Sequence, residues 1–168
     1  MISLSYIRNH ITSTGLQITA LDHNLFTKYF SMSPAELKSI GAYLLVADKN
    51  SCYPCRVSLQ DAEIGETVLA IQYEHHSVQG PYRSTGPIFV REGVKTANIG
   101  LNEIPRMLRH RLLSIRGYSS EALMIEGDTV AGEELESVLE KQFENSAVEY
   151  IHIHNAGPGC FNCALKKA

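Results

Sequence analysis

Apolar and polar positions alternate along most of this chain and follow helical spacing clearly in only one segment. Leu16 to Leu21 alternates at period two, which predicts a short strand. Asp22 or Asn24 can cap a helical turn through Phe26, Tyr29 and Phe30. Ser33-Pro34 is a helix start, with Pro at the first helical position, and Gly41 stops that helix early. Ala42 to Val46 predicts a buried strand, and Thr67 to Glu74 an alternating one. Gly80-Pro81 and Gly86-Pro87 mark a loop before a strand at Pro87 to Arg91. Asn102 to His110 predicts a helix with Pro105 near its start, and Leu112 to Tyr118 and Glu121 to Val130 predict strands.

The helical segment is Glu133 to Phe143. Leu135, Val138, Leu139 and Phe143 recur at i, i+3, i+4 and i+8, one apolar stripe. Glu133 and Glu134 at its start suit the helix dipole. Val148 to Asn155 is the clearest strand, and Ala164 onward reads as the chain's end. Strands that follow one another without long intervening helices predict an α+β fold: a mostly antiparallel sheet with two or three helices packed against it. At 168 residues, one domain spanning 1–168 is expected.

Composition narrows the class. Apolar residues make up 44% of the chain, enough for a core without disulfide staples. A net charge of −3 argues against a chain that coats nucleic acid. The longest apolar run, Ala42 to Ala47, is far short of the ~20 residues of a membrane span. Arg8 and His10 interrupt the stretch where a signal peptide keeps its apolar core. The expectation is a soluble, cytoplasmic protein with no nucleic-acid or membrane partner. Charge is uneven: residues 101–120 hold Arg106, Arg109, Arg111 and Arg116 against Glu103, whereas residues 121–149 hold nine carboxylates against Lys141. The bland reading is two solvated faces that attract each other. The sharper one is an anion site lined by guanidinium groups.

Cysteine and histidine carry the chemistry. Cys52 and Cys55, like Cys160 and Cys163, are separated by two intervening residues in CxxC spacing, and His152 and His154 precede the second pair. On a strand Tyr150, His152 and His154 share one face, with the two imidazoles ~6.6 Å apart along it. Gly157-Pro158-Gly159 then turns Cys160 and Cys163 back toward that end. His75 and His76, being adjacent, are expected on opposite faces of an exposed strand end. His10, His23 and His110 stand alone, and Asp61 and Glu66 read as turn residues that bind their own backbone.

Four readings compete. The thiols and imidazoles are ordinary buried groups in a reducing compartment. They form a metal site, zinc being the metal that thiolate and imidazole suit, with Cys55, His152, His154 and Cys160 as ligands. Cys160 or Cys55 is a nucleophile with His154 as its base. Or the region binds a small anion through its arginines and the loop around Tyr82 and Arg83.

The chain also resembles a bacterial family called domain of unknown function 1203. The resemblance rests on Pro54-Cys55-Arg56 with Leu59, Asp61-Ala62 and Gly65-Glu66, on Pro81-Tyr82, on Gly86-Pro87-Ile88-Phe89 and on Arg116-Gly117-Tyr118. It closes with His154-Asn155-Ala156 and Gly159-Cys160-Phe161. It implies no reaction. It does imply that Cys55, Arg56, His154 and Cys160 belong to a shared pattern that omits Cys52 and Cys163. The expectation is therefore a binding site for a small anion or metal. Arg56, Tyr82, Arg116 and Asn155 hold the ligand, beside Cys55, His154 and Cys160. The alternative is a thiol-dependent enzyme using Cys160 or Cys55 with His154.

Overall fold

The computed structural model describes residues 15–168, so His10 and the segment weighed as a signal peptide lie outside the described residues. Eight strands form two antiparallel sheets. The larger sheet is built from β1 (Leu16–Thr19), β5 (Leu112–Tyr118), β6 (Met124–Ala131), β7 (Tyr150–Asn155) and β8 (Phe161–Lys167), in the order β1-β8-β7-β5-β6. The smaller contains β2 (Tyr43–Val46), β3 (Thr67–His76) and β4 (Ser84–Arg91), with β3 in the middle. The helices are α1 (Pro34–Ser39), α2 (Arg106–Arg109) and α3 (Leu135–Glu144). The α+β expectation holds.

Local chemistry accounts for the helix ends. Asp22 accepts from the Asn24 backbone N–H and caps a 3-10 turn at His23–Leu25. Ser33 and Glu36 form a reciprocal capping box on α1, and Gly41 leaves it at a left-handed φ of 71°. Helix α3 lays Leu135, Leu139 and Phe143 on one face of the large sheet. They meet Leu113, Ile115, Ile151, Ile153 and Leu165 there, the main core. The bidentate Arg109–Glu136 pair ties α2 to α3.

Five expectations need correction. Ala42 to Val46 was expected buried, yet β2 is an edge strand whose four side chains are all exposed, and only Ala42 before it is buried. Gly86-Pro87 is not loop but lies inside β4, an edge strand where a missing N–H is tolerated. The helix at 102–110 shrinks to α2 because Asn102 sits at φ 60° and its side chain holds the Leu16 N–H. Ala164 onward is not a trailing end but belongs to β8, paired on both sides by β1 and β7. Asp61 and Glu66 serve more than the backbone: Asp61 pairs with Arg111, and Glu66 forks Arg91.

The sheets meet around the second face of the large one. Ser114, Arg116 and Tyr118 stand opposite His154, His152 and Tyr150 in register, so their side chains share that face. The far end of β3 covers it. Arg56 ties the two sheets further: its backbone N–H bonds Phe89 of β4, and its Nε donates 2.7 Å to the Phe161 carbonyl of β8.

Candidate functional site

Four histidines converge where β3 crosses β7. His75 lies 5.1 Å from His154 and His76 4.8 Å from His152, ring centre to ring centre. His152 and His154 are 6.1 Å apart, as the strand period requires. Phe161 stacks on His75 at 5.0 Å, and Tyr118 stacks on Tyr150 at 5.3 Å. The expectation that His75 and His76 end an exposed strand on opposite faces is overturned. The pairing of β3 with β4 slips between Tyr73 and His76, and this bulge breaks the alternation so that both rings reach the same cluster.

Hydrogen bonds set the ring states. His76 Nδ1 donates 2.7 Å to the Tyr82 carbonyl, so its Nε2 accepts from the Tyr150 hydroxyl at 2.7 Å. His154 Nδ1 donates 2.9 Å to the Gly159 carbonyl, which leaves its Nε2 an acceptor. That Nε2, the Nδ1 of His75 and the Nδ1 of His152 are buried without a partner. Burial drives the pKa of His152 and His154 down to about 3. The positive charge of Arg116 and Arg56 is part of that lowering at His154, and both rings are neutral near pH 7.

A cleft of about 230 Å³ opens beside His154. Its walls are His75, residues 84–87 of β4, Arg116, His154 and the Pro158–Cys160 turn. Arg116 Nε reaches Ser114 Oγ at 3.3 Å, and among the described residues no carboxylate pairs with it. Arg56, 1% exposed, is buried behind the cleft with the Phe161 and Pro54 carbonyls as partners and, among the described residues, no carboxylate. Burial lowers its pKa to about 10, and Cys160 and Cys55 are the thiols that interact with it most. By contrast Arg83, Arg91, Arg109 and Arg111 are each matched with a carboxylate. The arginines at 106–116 therefore do not line a common anion site; Arg116 alone reaches the cleft.

The structure thus brings together Arg116, His154 and Cys160, with Arg56 behind them. It holds others apart. Cys55 is fully buried in the small sheet's core, its Sγ accepting from the Ser58 and Arg91 backbone N–H groups at 3.3 Å. Tyr82 serves the cluster through its carbonyl and lies against Tyr118, away from the cleft walls. Asn155 accepts from Asn162 and faces a separate depression with Cys52 and Arg111. Cys163 opposes Ile153 in the main core, so it does not return to the histidines as expected; burial pushes its thiol up to about 12. Among the described residues no three His, Cys, Asp or Glu side chains are arranged to hold a metal ion. A larger cleft of about 680 Å³ lies near Asp61, Glu103 and Arg106, but Asp61 is already paired with Arg111.

The family description Protein of unknown function (DUF1203) matches residues 52–167. The chain belongs to the DUF1203 family. The match spans Cys55, Arg56, Arg116, His154 and Cys160, and so takes in every wall of the cleft. No curated protein and no solved structure matches the chain. Among the described residues no helix is long and apolar enough to cross a membrane.

Sequence reasoning missed His75, Ser84 and Thr85. Nothing in the residues 73–76 announces a bulge, so the reading by strict alternation sent His75 the wrong way.

Proposed function

We propose that this DUF1203 protein binds a small oxyanion in the cleft between β4 and the β7–β8 turn. The observation that carries the reading is charge: Arg116 lines the cleft and Arg56 is buried behind it, and among the described residues neither has a carboxylate partner. A buried cation without a counter-charge is costly, and an anion taken from solution supplies one. The cleft's volume falls below the ~300–1,000 Å³ of sites for drug-sized ligands, which suits an inorganic oxyanion or a small carboxylate. A reducing compartment such as the cytoplasm suits the four unpaired cysteines.

Titration calorimetry with inorganic phosphate tests the reading. Wild-type protein is expected to bind, and Arg116→Gln to weaken binding about tenfold or more, the usual loss for a charge-assisted contact. Equal binding by the variant overturns the assignment. Because the side-chain contacts of Arg116 are with the Ser114 and Tyr118 hydroxyls and with no carboxylate among the described residues, the variant is expected to fold.

A second reading, a thiol enzyme, draws on Cys160 and His154 lining the same cleft, with His154 oriented by Gly159. A base that gains its proton only near pH 3 is a weak acceptor at neutral pH, so the binding reading is preferred. Alkylation by iodoacetamide at pH 7 separates the two. Modification of Cys160 no faster than of a free thiol supports binding, and a rate far above it supports the enzyme.

A further inference from the structure

The edges of the two sheets are not guarded alike. At β1 the side chain and backbone of Asn102 take the Leu16 N–H and carbonyl. Strand β4 holds Pro87 and ends on Arg91, and β6 sets Glu126 and Asp128 along its length. Prolines and charges of this kind keep an edge from pairing with another chain. The remaining edge, β2, is Tyr43-Leu44-Leu45-Val46, with no charge, proline or glycine. All four side chains are exposed, Val46 most at 65%, and exposed Ile40 and Ile64 flank the two ends of the strand. An apolar patch of this kind marks an interaction surface.

Register fixes which backbone groups of β2 face outward. Ala47 bonds toward β3: its N–H donates to the Glu66 carbonyl, and its own carbonyl accepts from the Gly65 N–H. Antiparallel bonding alternates, so Leu45 and Tyr43 also bond β3. The N–H and carbonyl groups of Leu44 and Val46 therefore point away from the sheet, and among the described residues no strand lies beyond them. A second β2, turned about a two-fold axis at Leu45, meets all of them. Leu44 then exchanges both bonds with Val46 of the second copy, and Leu45 faces its own copy. Charge agrees with this pairing. Asp48, the nearest charged residue, falls opposite Ala42, so no like charges are set against each other.

We infer that β2 is a self-pairing edge through which two copies of this chain join their three-stranded sheets into one of six strands. Four residues of strand fall short of the ~1,200–2,000 Å² buried in a stable complex, so the dimer forms as concentration rises.

Sedimentation velocity of the full chain over about a hundredfold range of concentration tests the inference. The wild type is expected to shift from monomer toward dimer. Leu45→Lys, which sets two like charges opposite each other, is expected to stay monomeric. A wild type that is monomeric throughout, or a dimer that survives Leu45→Lys, overturns the inference. Cross-linking decides without that variant. Leu45 and its copy form a non-hydrogen-bonded pair with Cα atoms about 4.5 Å apart, close enough for a disulfide. Val46 and its copy are offset along the strand by two residues and lie about 8–9 Å apart, too far for one. Oxidised with diamide, Leu45→Cys is expected to give about tenfold more covalent dimer than Val46→Cys, which stays at the wild-type level. Equal cross-linking of the two variants overturns the inference.

Discussion

The two faces of β7 solve the same burial problem in opposite ways. One face carries Ile151 and Ile153, set against Leu113, Ile115, Leu165 and the stripe of α3. These side chains have no polar group to satisfy, and apolar area removed from water stabilises the fold directly. The other carries Tyr150, His152 and His154 under His75 and His76; Tyr150 and His75 are only half-buried, and three ring nitrogens have no partner among the described residues. Buried imidazoles without partners cost stability rather than adding to it. The difference teaches that the large sheet is held together from one side and carries its unsatisfied polar groups on the other.

Three measurements sharpen or break that contrast. Ile153→Ala should cost about 3–4 kcal/mol in urea unfolding, because the packed face cannot collapse around the lost atoms. A cost under about 1 kcal/mol would show that this face is not the structural one.

Acid tests the other face. In the native protein His152 and His154 stay neutral down to about pH 3, whereas the unfolded chain protonates them near 6.5. The unfolded state binds more protons between those values, so stability is full above pH 6.5 and falls as pH drops. Each histidine should contribute a slope of about 1.4 kcal/mol per pH unit in that window. Unfolding midpoints at pH 7, 6 and 5 read it, and a flat profile would mean the rings are hydrated or already charged.

The smallest effect is expected from His152→Phe. Its Nδ1 has no partner to lose, and a phenyl ring of similar shape fits among Tyr118, Tyr150 and Phe161. Stability should stay within about 1 kcal/mol of wild type or rise. A loss near that of Ile153→Ala would erase the distinction between the faces.

Much of this was legible along the chain wherever the cause was local. The Ser33 cap, the stripe of α3, and the shared side of His152 and His154 follow from spacings of one to eight residues. Even β8 carried a signal that was passed over, since Phe161, Cys163 and Leu165 are apolar at period two. The exposure of β2 was not legible: Tyr43-Leu44-Leu45-Val46 reads as interior, and its place at the edge of the small sheet, with its side chains left uncovered among the described residues, is a matter of tertiary structure.

By itself, then, the sequence determined the fold class and most strands, and it singled out His154, Cys160, Arg56 and Arg116 as candidates. Period and capping are properties of neighbouring residues, and they survive without knowledge of the fold. Tertiary structure alone decided which of those residues meet. It turned Cys55 and Cys163 into core, gave Arg111 to Asp61 while leaving Arg116 unmatched, and used one bulge in β3 to bring in His75. Such choices depend on register and on contacts between separate elements, such as Arg111 with Asp61, which no local pattern encodes.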